Sequence, residues 1–260
     1  MMPLLVLALA AVAVTGTGSA AQQPADRACP CGDGRWCKPL TTPKSSKEVY
    51  AFDPGTTLEV WHALDWSSIT TIAFAGSAPR HLVCDAHRRG VRAVVLTGLM
   101  PEAANASTVA RWISTQTAIV AANGTDGVNI DIEGYGTVET PVPRAKLTEM
   151  VGNLSAALRA QNPHAQISMD AVGYPANGYW WTGYDWPKLA EEVDFLVVMV
   201  YDLLNVDACS RGNCSLPPSY SRFAQSALPA HVETVKQYSS LGVLPSKLVL
   251  GVPWYGYSGE

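Results

Sequence analysis

The sequence predicts an α/β protein, a (β/α)8 barrel of the TIM type, with about seven of its eight strands present in this chain. Three observations predict it. Seven short apolar runs alternate with stretches of helical periodicity, the pattern of a parallel sheet covered by helices. No G-x-G-x-x-G follows the first run, which argues against a doubly wound dinucleotide fold. Finally, Glu133, Tyr201, Asp202 and Trp254 all fall at the C-terminal ends of runs, where barrels of this kind build their sites.

Residues 4–14 form an apolar run of eleven residues followed by Gly16, Gly18, Ser19, Ala20 and Ala21. A membrane span needs about twenty residues, so 1–21 reads as a signal peptide, although Lys and Arg are missing from its start. Residues 22–46, rich in Pro, Cys, Ser and Thr, read as a stapled irregular segment. From 47 to 260 the barrel units follow. The strands are placed at 48–52, 69–75, 91–97, 127–133, 166–172, 193–201 and 248–253. Turn signals such as Asp53-Pro54-Gly55 close them. Helices are placed at 104–122 on Val109, Trp112, Ile113 and Ile119, at 144–161 on Leu147, Met150, Val151, Leu154 and Leu158, and at 229–241 on Val232, Val235 and Tyr238. With no eighth strand assignable before Glu260, the chain is expected to be unstable or inactive as it stands.

Composition excludes some classes. Eighteen basic against twenty-two acidic residues give a net charge of −4, without the basic patch that nucleic acid demands. No long apolar stretch follows residue 21, so no membrane span is expected, and the protein is expected to be a monomer. The six cysteines, Cys29, Cys31, Cys37, Cys84, Cys209 and Cys214, imply disulfides in an exported chain. Cys209 and Cys214 flank a short loop and are placed to pair; the other four allow three pairings. Cys29-Pro-Cys31 lacks zinc-site spacing, and neither a metal nor a cofactor is expected. Sequons at Asn105, Asn123, Asn153 and Asn213 mark candidate glycosylation sites.

The most informative stretch is Asp126-Gly127-Val128-Asn129-Ile130-Asp131-Ile132-Glu133. Read as a strand, it points Val128, Ile130 and Ile132 to one face and Gly127, Asn129, Asp131 and Glu133 to the other. Buried acids are costly unless paired or hydrogen-bonded, so a row of them suggests a working face; a calcium site and a satisfied polar core are the alternatives. Asp131 and Glu133 lie about 6.7 Å apart along the strand. At that separation one carboxyl raises the pKa of the other, and a carboxyl held protonated is a general acid. Asp126 has the opposite parity and reads as a turn or cap residue. The run from Tyr174 to Trp186 holds six aromatics, and stacking on sugar or packing on itself explains it equally well. Asp170 shares the inward parity of its strand and suits a hydrogen bond in the barrel core.

The acidic strand resembles the DGxDxDxE strand of glycoside hydrolase family 18, the chitinase-like enzymes, with Asn129 in place of an Asp. Met199-Val200-Tyr201-Asp202 is similar to that family's M-x-Y-D segment, and Gly251-Val252-Pro253-Trp254-Tyr255-Gly256 to its G-x-P-x-Y-G segment. The resemblance implies retaining, substrate-assisted hydrolysis of a β-1,4 bond between N-acetylglucosamine units, with no cofactor. Glu133 then protonates the leaving oxygen, Asp131 orients the 2-acetamido group, and Tyr201 donates to its carbonyl. Asn129, unable to exchange a proton, is expected to donate an N–H to Asp131, or else merely to fill the interior. Asp202 is placed to bind a sugar hydroxyl or to hold Tyr201; Met199 lines the pocket floor and Trp254 contacts sugar. Asn129 and the short Cys-rich leader resemble one branch of the family. That branch acts on the N,N'-diacetylchitobiose core of asparagine-linked oligosaccharides, releases the reducing-end N-acetylglucosamine, and is delivered to the lysosome. A sugar-binding lectin and an endo-chitinase are the alternatives.

Overall fold

The computed structural model describes residues 29–42, 44–45, 47–53, 55, 57–75, 78–98, 105–135, 142–177, 183–202 and 225–255. Residues 1–21, read above as a signal peptide, and Cys209, Cys214, Asn213, Tyr179, Trp180 and Trp181 lie outside them.

Seven parallel strands follow one another in space as in sequence: β1 Tyr50–Asp53, β2 Thr71–Phe74, β3 Arg92–Gly98, β4 Gly127–Asp131, β5 Gln166–Val172, β6 Phe195–Met199 and β7 Leu248–Gly251. Among the described residues, six α-helices connect and cover them: α1 Leu58–Ala63, α2 Arg80–Arg88, α3 Ala106–Asn123, α4 Arg144–Gln161, α5 Trp186–Glu192 and α6 Leu228–Leu241. The sheet curls far enough for side chains several strands apart to meet across its interior. The Tyr50 hydroxyl of β1 lies 3.1 Å from Ser168 Oγ of β5, and Gln166 Nε2 of β5 donates to Thr71 Oγ1 of β2 at 2.9 Å. This is the nearly closed barrel that the alternating pattern predicts.

The period-two pattern sorts the two faces. Val128, Ile130 and Ile132 join the apolar layer beneath the helices, as do Ile167, Met169, Leu196 and Val198. Asn129, Ser168 and Asp170 face inward instead, where they hydrogen-bond to one another. In α4 the predicted stripe of Leu147, Met150, Val151, Leu154 and Leu158 is buried throughout, each large side chain contributing about 1.5–3 kcal/mol. Two helical readings need correction. In α3, Ile119 is left exposed and Val120 is buried instead; in α6, Val232 is exposed while Ala230, Thr234 and Tyr238 are buried. The rest of each expected stripe holds, with Val109, Trp112 and Ile113 packed on the core and Tyr238 buried; contact with the neighbouring elements, not intrinsic periodicity, decides the positions at the stripe's edge. The helices α1, α2 and α5 are nine residues or shorter, and their apolar periodicity is too brief to read from sequence.

The Cys-rich segment lies against the N-terminal end of the barrel. Disulfides join Cys29 to Cys37 and Cys31 to Cys84, the latter tying the segment to α2. Geometry thus selects among the pairings that sequence leaves open. Asp126, immediately before β4, is the anchor point. Its fully buried carboxylate accepts from Leu40 N at 2.6 Å, from Ala93 N at 2.7 Å and faces His87 Nε2 at 2.9 Å. Arg92 Nη1 lies 3.7 Å away. The structural reading of Asp126 therefore holds, with a heavier duty than a turn: it ties the leader, α2 and β3 together. Next to it, Gly127 has φ +154°, and a Cβ there would fall 1.9 Å from the Gln166 carbonyl oxygen. Only glycine lets β4 and β5 pair in this register.

Candidate active site

The acids end their strand instead of lying within it. β4 stops at Asp131, so Glu133 stands in the turn beyond, exposed at the C-terminal rim. Tyr184 fixes that turn. Its hydroxyl donates to the Ile132 carbonyl and accepts from Tyr135 N at 3.1 Å, bracketing Glu133 on both sides. Tyr184 stacks on Trp186 with ring centroids 4.8 Å apart, and Trp186 meets Tyr238 of α6 edge-on at 5.7 Å. The described aromatics of the 174–186 stretch therefore pack on the protein, and Tyr184, backed by Trp186, holds the acid's turn. No periodicity flags Tyr184; the aromatic cluster itself was the available signal.

Glu133 and Asp131 hydrogen-bond through their carboxyl groups. Although the residue reaches solvent at the rim, partial desolvation of its carboxyl raises the pKa of Glu133, and the charge of Asp131 and the hydrogen bond to it raise it further. Burial also raises Asp131, while the bond from Glu133 opposes that rise. The proton of the pair thus rests preferentially on Glu133. Tyr201 follows β6 by two residues on the inward parity of Met199. Burial is the main reason its hydroxyl stays protonated well above the ordinary tyrosine range, with the charges of Asp170, Glu133 and Asp131 adding to the effect. Tyr201 is thus close enough for the charges of the three acids to act on its hydroxyl. Gly251 of β7 makes room for it: a Cβ there would meet the Tyr201 ring at 3.0 Å.

Asn129 needs a correction. Its Nδ2 donates to Asp170 Oδ2 at 2.8 Å, not to Asp131, and its Oδ1 accepts from Ser168 Oγ at 2.7 Å. The partner lies on β5 because Asn129 pairs in register with Ser168, two residues before Asp170. Asp202, with φ +57°, accepts from the Tyr255 hydroxyl at 2.8 Å on both oxygens and from Gln225 Nε2 at 3.1 Å. Tyr255 in turn meets Tyr201 edge-on, centroids 6.5 Å apart. Asp202 therefore holds the neighbour of Tyr201, and Tyr255 is a site residue that sequence reasoning missed although it lies in a quoted motif. Met199 is half-buried at the end of β6, and Trp254 is fully exposed after β7. Of the described sequons, Asn105 caps α3 and is exposed, Asn153 is exposed on α4, and Asn123 is half-buried at the far end from Glu133. The sulfurs of Cys29, Cys31 and Cys37 lie within 4.8 Å of one another, but all three are taken up in disulfides.

Burial lifts the Asp170 carboxyl to about 8, the hydrogen bond from Asn129 opposing and the charges of Asp131 and Glu133 assisting. An acid raised on folding contributes stability that is full below its unfolded value of 3.8 and is lost as pH rises through the folded value. Stability is therefore expected to fall between about pH 4 and 8, Asp170 contributing up to about 1.4 kcal/mol per pH unit. Urea unfolding across that window should show a shallower fall for Asp170→Asn; parallel curves for the two proteins would refute the assignment.

The profile of Glycosyl hydrolases family 18 matches residues 99–260, which take in the acids, Tyr201 and Tyr255. The chain belongs to glycosyl hydrolases family 18. The family-18 chain is 32% identical over 234 residues to di-N-acetylchitobiase of Rattus norvegicus, covering 88% of this chain and 59% of that protein. It is 31% identical over 244 residues to probable di-N-acetylchitobiase 1 of Dictyostelium discoideum, covering 91% and 61%. It thus spans about three fifths of the length of these relatives. Among solved structures, its barrel resembles a chitinase from Chromobacterium violaceum with a TM-score of 0.60 at 16% identity, covering 81% of this chain and 69% of that one. It also resembles a family-18 chitinase of Cycas revoluta solved with (GlcNAc)4, with a TM-score of 0.55 at 18% identity, covering 78% and 68%. No helix among the described residues is long and apolar enough to cross a membrane.

Proposed function

We propose that this family-18 protein is a retaining glycosidase that hydrolyses the β-1,4 bond of the N,N'-diacetylchitobiose core of asparagine-linked oligosaccharides and releases the reducing-end N-acetylglucosamine. The observation that carries the reading is the carboxyl–carboxyl contact of Glu133 and Asp131 at the open rim, with Tyr201 close enough for their charges to act on its hydroxyl. Glu133, protonated by its surroundings, gives its proton to the leaving glycosidic oxygen. The carbonyl oxygen of the substrate's own 2-acetamido group attacks the anomeric carbon, so a second protein carboxylate is not needed as nucleophile. Asp131 accepts the acetamido N–H and stabilises the positive charge that develops, and Tyr201 donates to the acetamido oxygen. Water then opens the cyclic intermediate with Glu133 acting as base, and configuration is retained.

The kinship with di-N-acetylchitobiases of rat and Dictyostelium supports this substrate over long chitin. Delivery to the lysosome through the secretory route and glycan attachment at the exposed Asn105 and Asn153 belong to the same reading. Mass analysis of a free reducing-end oligosaccharide after incubation tests it: a single N-acetylglucosamine should leave from the reducing end, and the new reducing end of the shortened oligosaccharide should appear first as the β-anomer by NMR. Internal cleavage favours an endo-chitinase, and binding without any product favours a lectin; either result sinks the proposal.

A further inference from the structure

Asp170 is 4% exposed on β5, inward-facing like Ser168 and Asn129. Ile130 of β4 pairs in register with Met169, so Asp131 and Asp170 are the residues that follow the last paired position, on strands about 4.8 Å apart, near enough for the charge of Asp131 to act on Asp170. The titratable groups that act on Asp170 are Asp131 and Glu133 from the β4 side, Tyr201 from beyond β6 and Tyr50 from β1. None of them is positive. Two further observations bear on where a proton sits. Asn129 Nδ2 donates to Oδ2 of Asp170, which makes Oδ2 the acceptor and leaves Oδ1 for the hydrogen. Asp170 Oδ1 and Asp131 Oδ1 are both buried without a hydrogen-bond partner among the described residues, a shortfall that native interiors seldom tolerate.

We infer that Asp170 is a positioning residue that works as a neutral acid: it keeps its proton on Oδ1 and offers it to Oδ1 of Asp131, so that the negative charge of the interior rests on Asp131 alone. Three carboxyl groups with no cation beside them among the described residues cannot all ionise in one low-dielectric interior. Asp170 is the deepest of them, and its elevated titration, near 8, agrees with that placement. The hydrogen-bonded row from Tyr50 through Ser168 and Asn129 to Asp170 fixes its orientation and directs the O–H towards the site. Asn129, on this view, is the amide that decides which oxygen of Asp170 carries the hydrogen.

The kinetic part of this inference rests on the glycosidase reading; the protonation part does not. Infrared difference spectra of the full chain, titrated through neutral pH, should show a protonated-carboxyl stretch that disappears near pH 8. The component that titrates there, distinct from that of the Glu133 carboxyl, should be absent from Asp170→Asn and retained in Glu133→Gln. Turnover of a chitobiose-type substrate should fall about a hundredfold in Asp170→Ala with KM little changed. Asp170→Asn should keep most of the kcat, because an amide N–H can replace the O–H. A neutral-donor role alone predicts that split: if Asp170 worked as a carboxylate, the Asn protein would be as impaired as the Ala protein, and the inference would be overturned. Should Asp170→Ala not fold, the Asn protein and the spectra still decide. A wild-type chain without turnover defeats the glycosidase reading, while absence of the Asp170 band at about pH 6 defeats the neutral acid.

Discussion

Glu133→Gln is expected to lower kcat by about a thousandfold, within the range for loss of a general acid, while binding of a GlcNAc oligosaccharide changes little. The amide keeps the size and the hydrogen bond to Asp131, so folding and the shape of the site persist. What is lost is the proton that burial and the Asp131 charge hold on this carboxyl. Because Glu133 is exposed at the rim, the substitution leaves no buried group unpaired, and thermal stability should remain near that of the wild type. Steady-state kinetics beside calorimetric binding separates the outcomes. An enzyme loses turnover and keeps affinity; a lectin shows the same binding for both proteins and no turnover in either. Turnover by Glu133→Gln equal to the wild type would remove Glu133 from the chemistry altogether.

Asp126→Ala is expected to lower stability by about 3–5 kcal/mol, the usual cost of removing one partner from a buried charged network. The donors Leu40 N and Ala93 N, together with His87 and Arg92, would face an empty apolar space. A domain of this size has about 5–15 kcal/mol in total, so a fall in Tm on the order of 10 °C follows. Asp126→Asn should lose nearly as much, because an amide NH2 turns a donor towards donors. Urea unfolding reads the change. The protein that remains folded should keep its KM, since Asp126 lies at the barrel end opposite Glu133. A wild-type Tm with lost activity would instead move Asp126 into the active machinery.

Periodicity and motif placed most of this molecule. The alternation at Val128, Ile130 and Ile132 against Asn129 and Asp131 assigned both faces of β4, since side chains in a strand have no other choice. The α4 stripe was equally legible, with five apolar residues on one side of eighteen. Legibility failed where a contact depends on which neighbour arrives. Ile119 and Val232 fit a helical period yet face solvent, because packing partners decide the positions at the edge of each stripe. Tyr184 carries no spacing signal and the motif around Tyr255 does not name its partner; each is recruited by a hydrogen bond to a residue roughly fifty positions away.

The site divides in the same way. Sequence alone determined that Asp131, Glu133 and Tyr201 occupy the C-terminal rim of a parallel barrel, because a strand's parity and direction fix which end and which face its last residues take. Only the tertiary structure decided that Asn129 serves Asp170 instead of Asp131, that Cys31 joins Cys84, and that Asp202 holds Tyr255. Those choices depend on register between strands and on distances across the interior. Hydrogen bonds and disulfides form over a few ångströms, and the positions that come so close are separated in the chain by tens of residues.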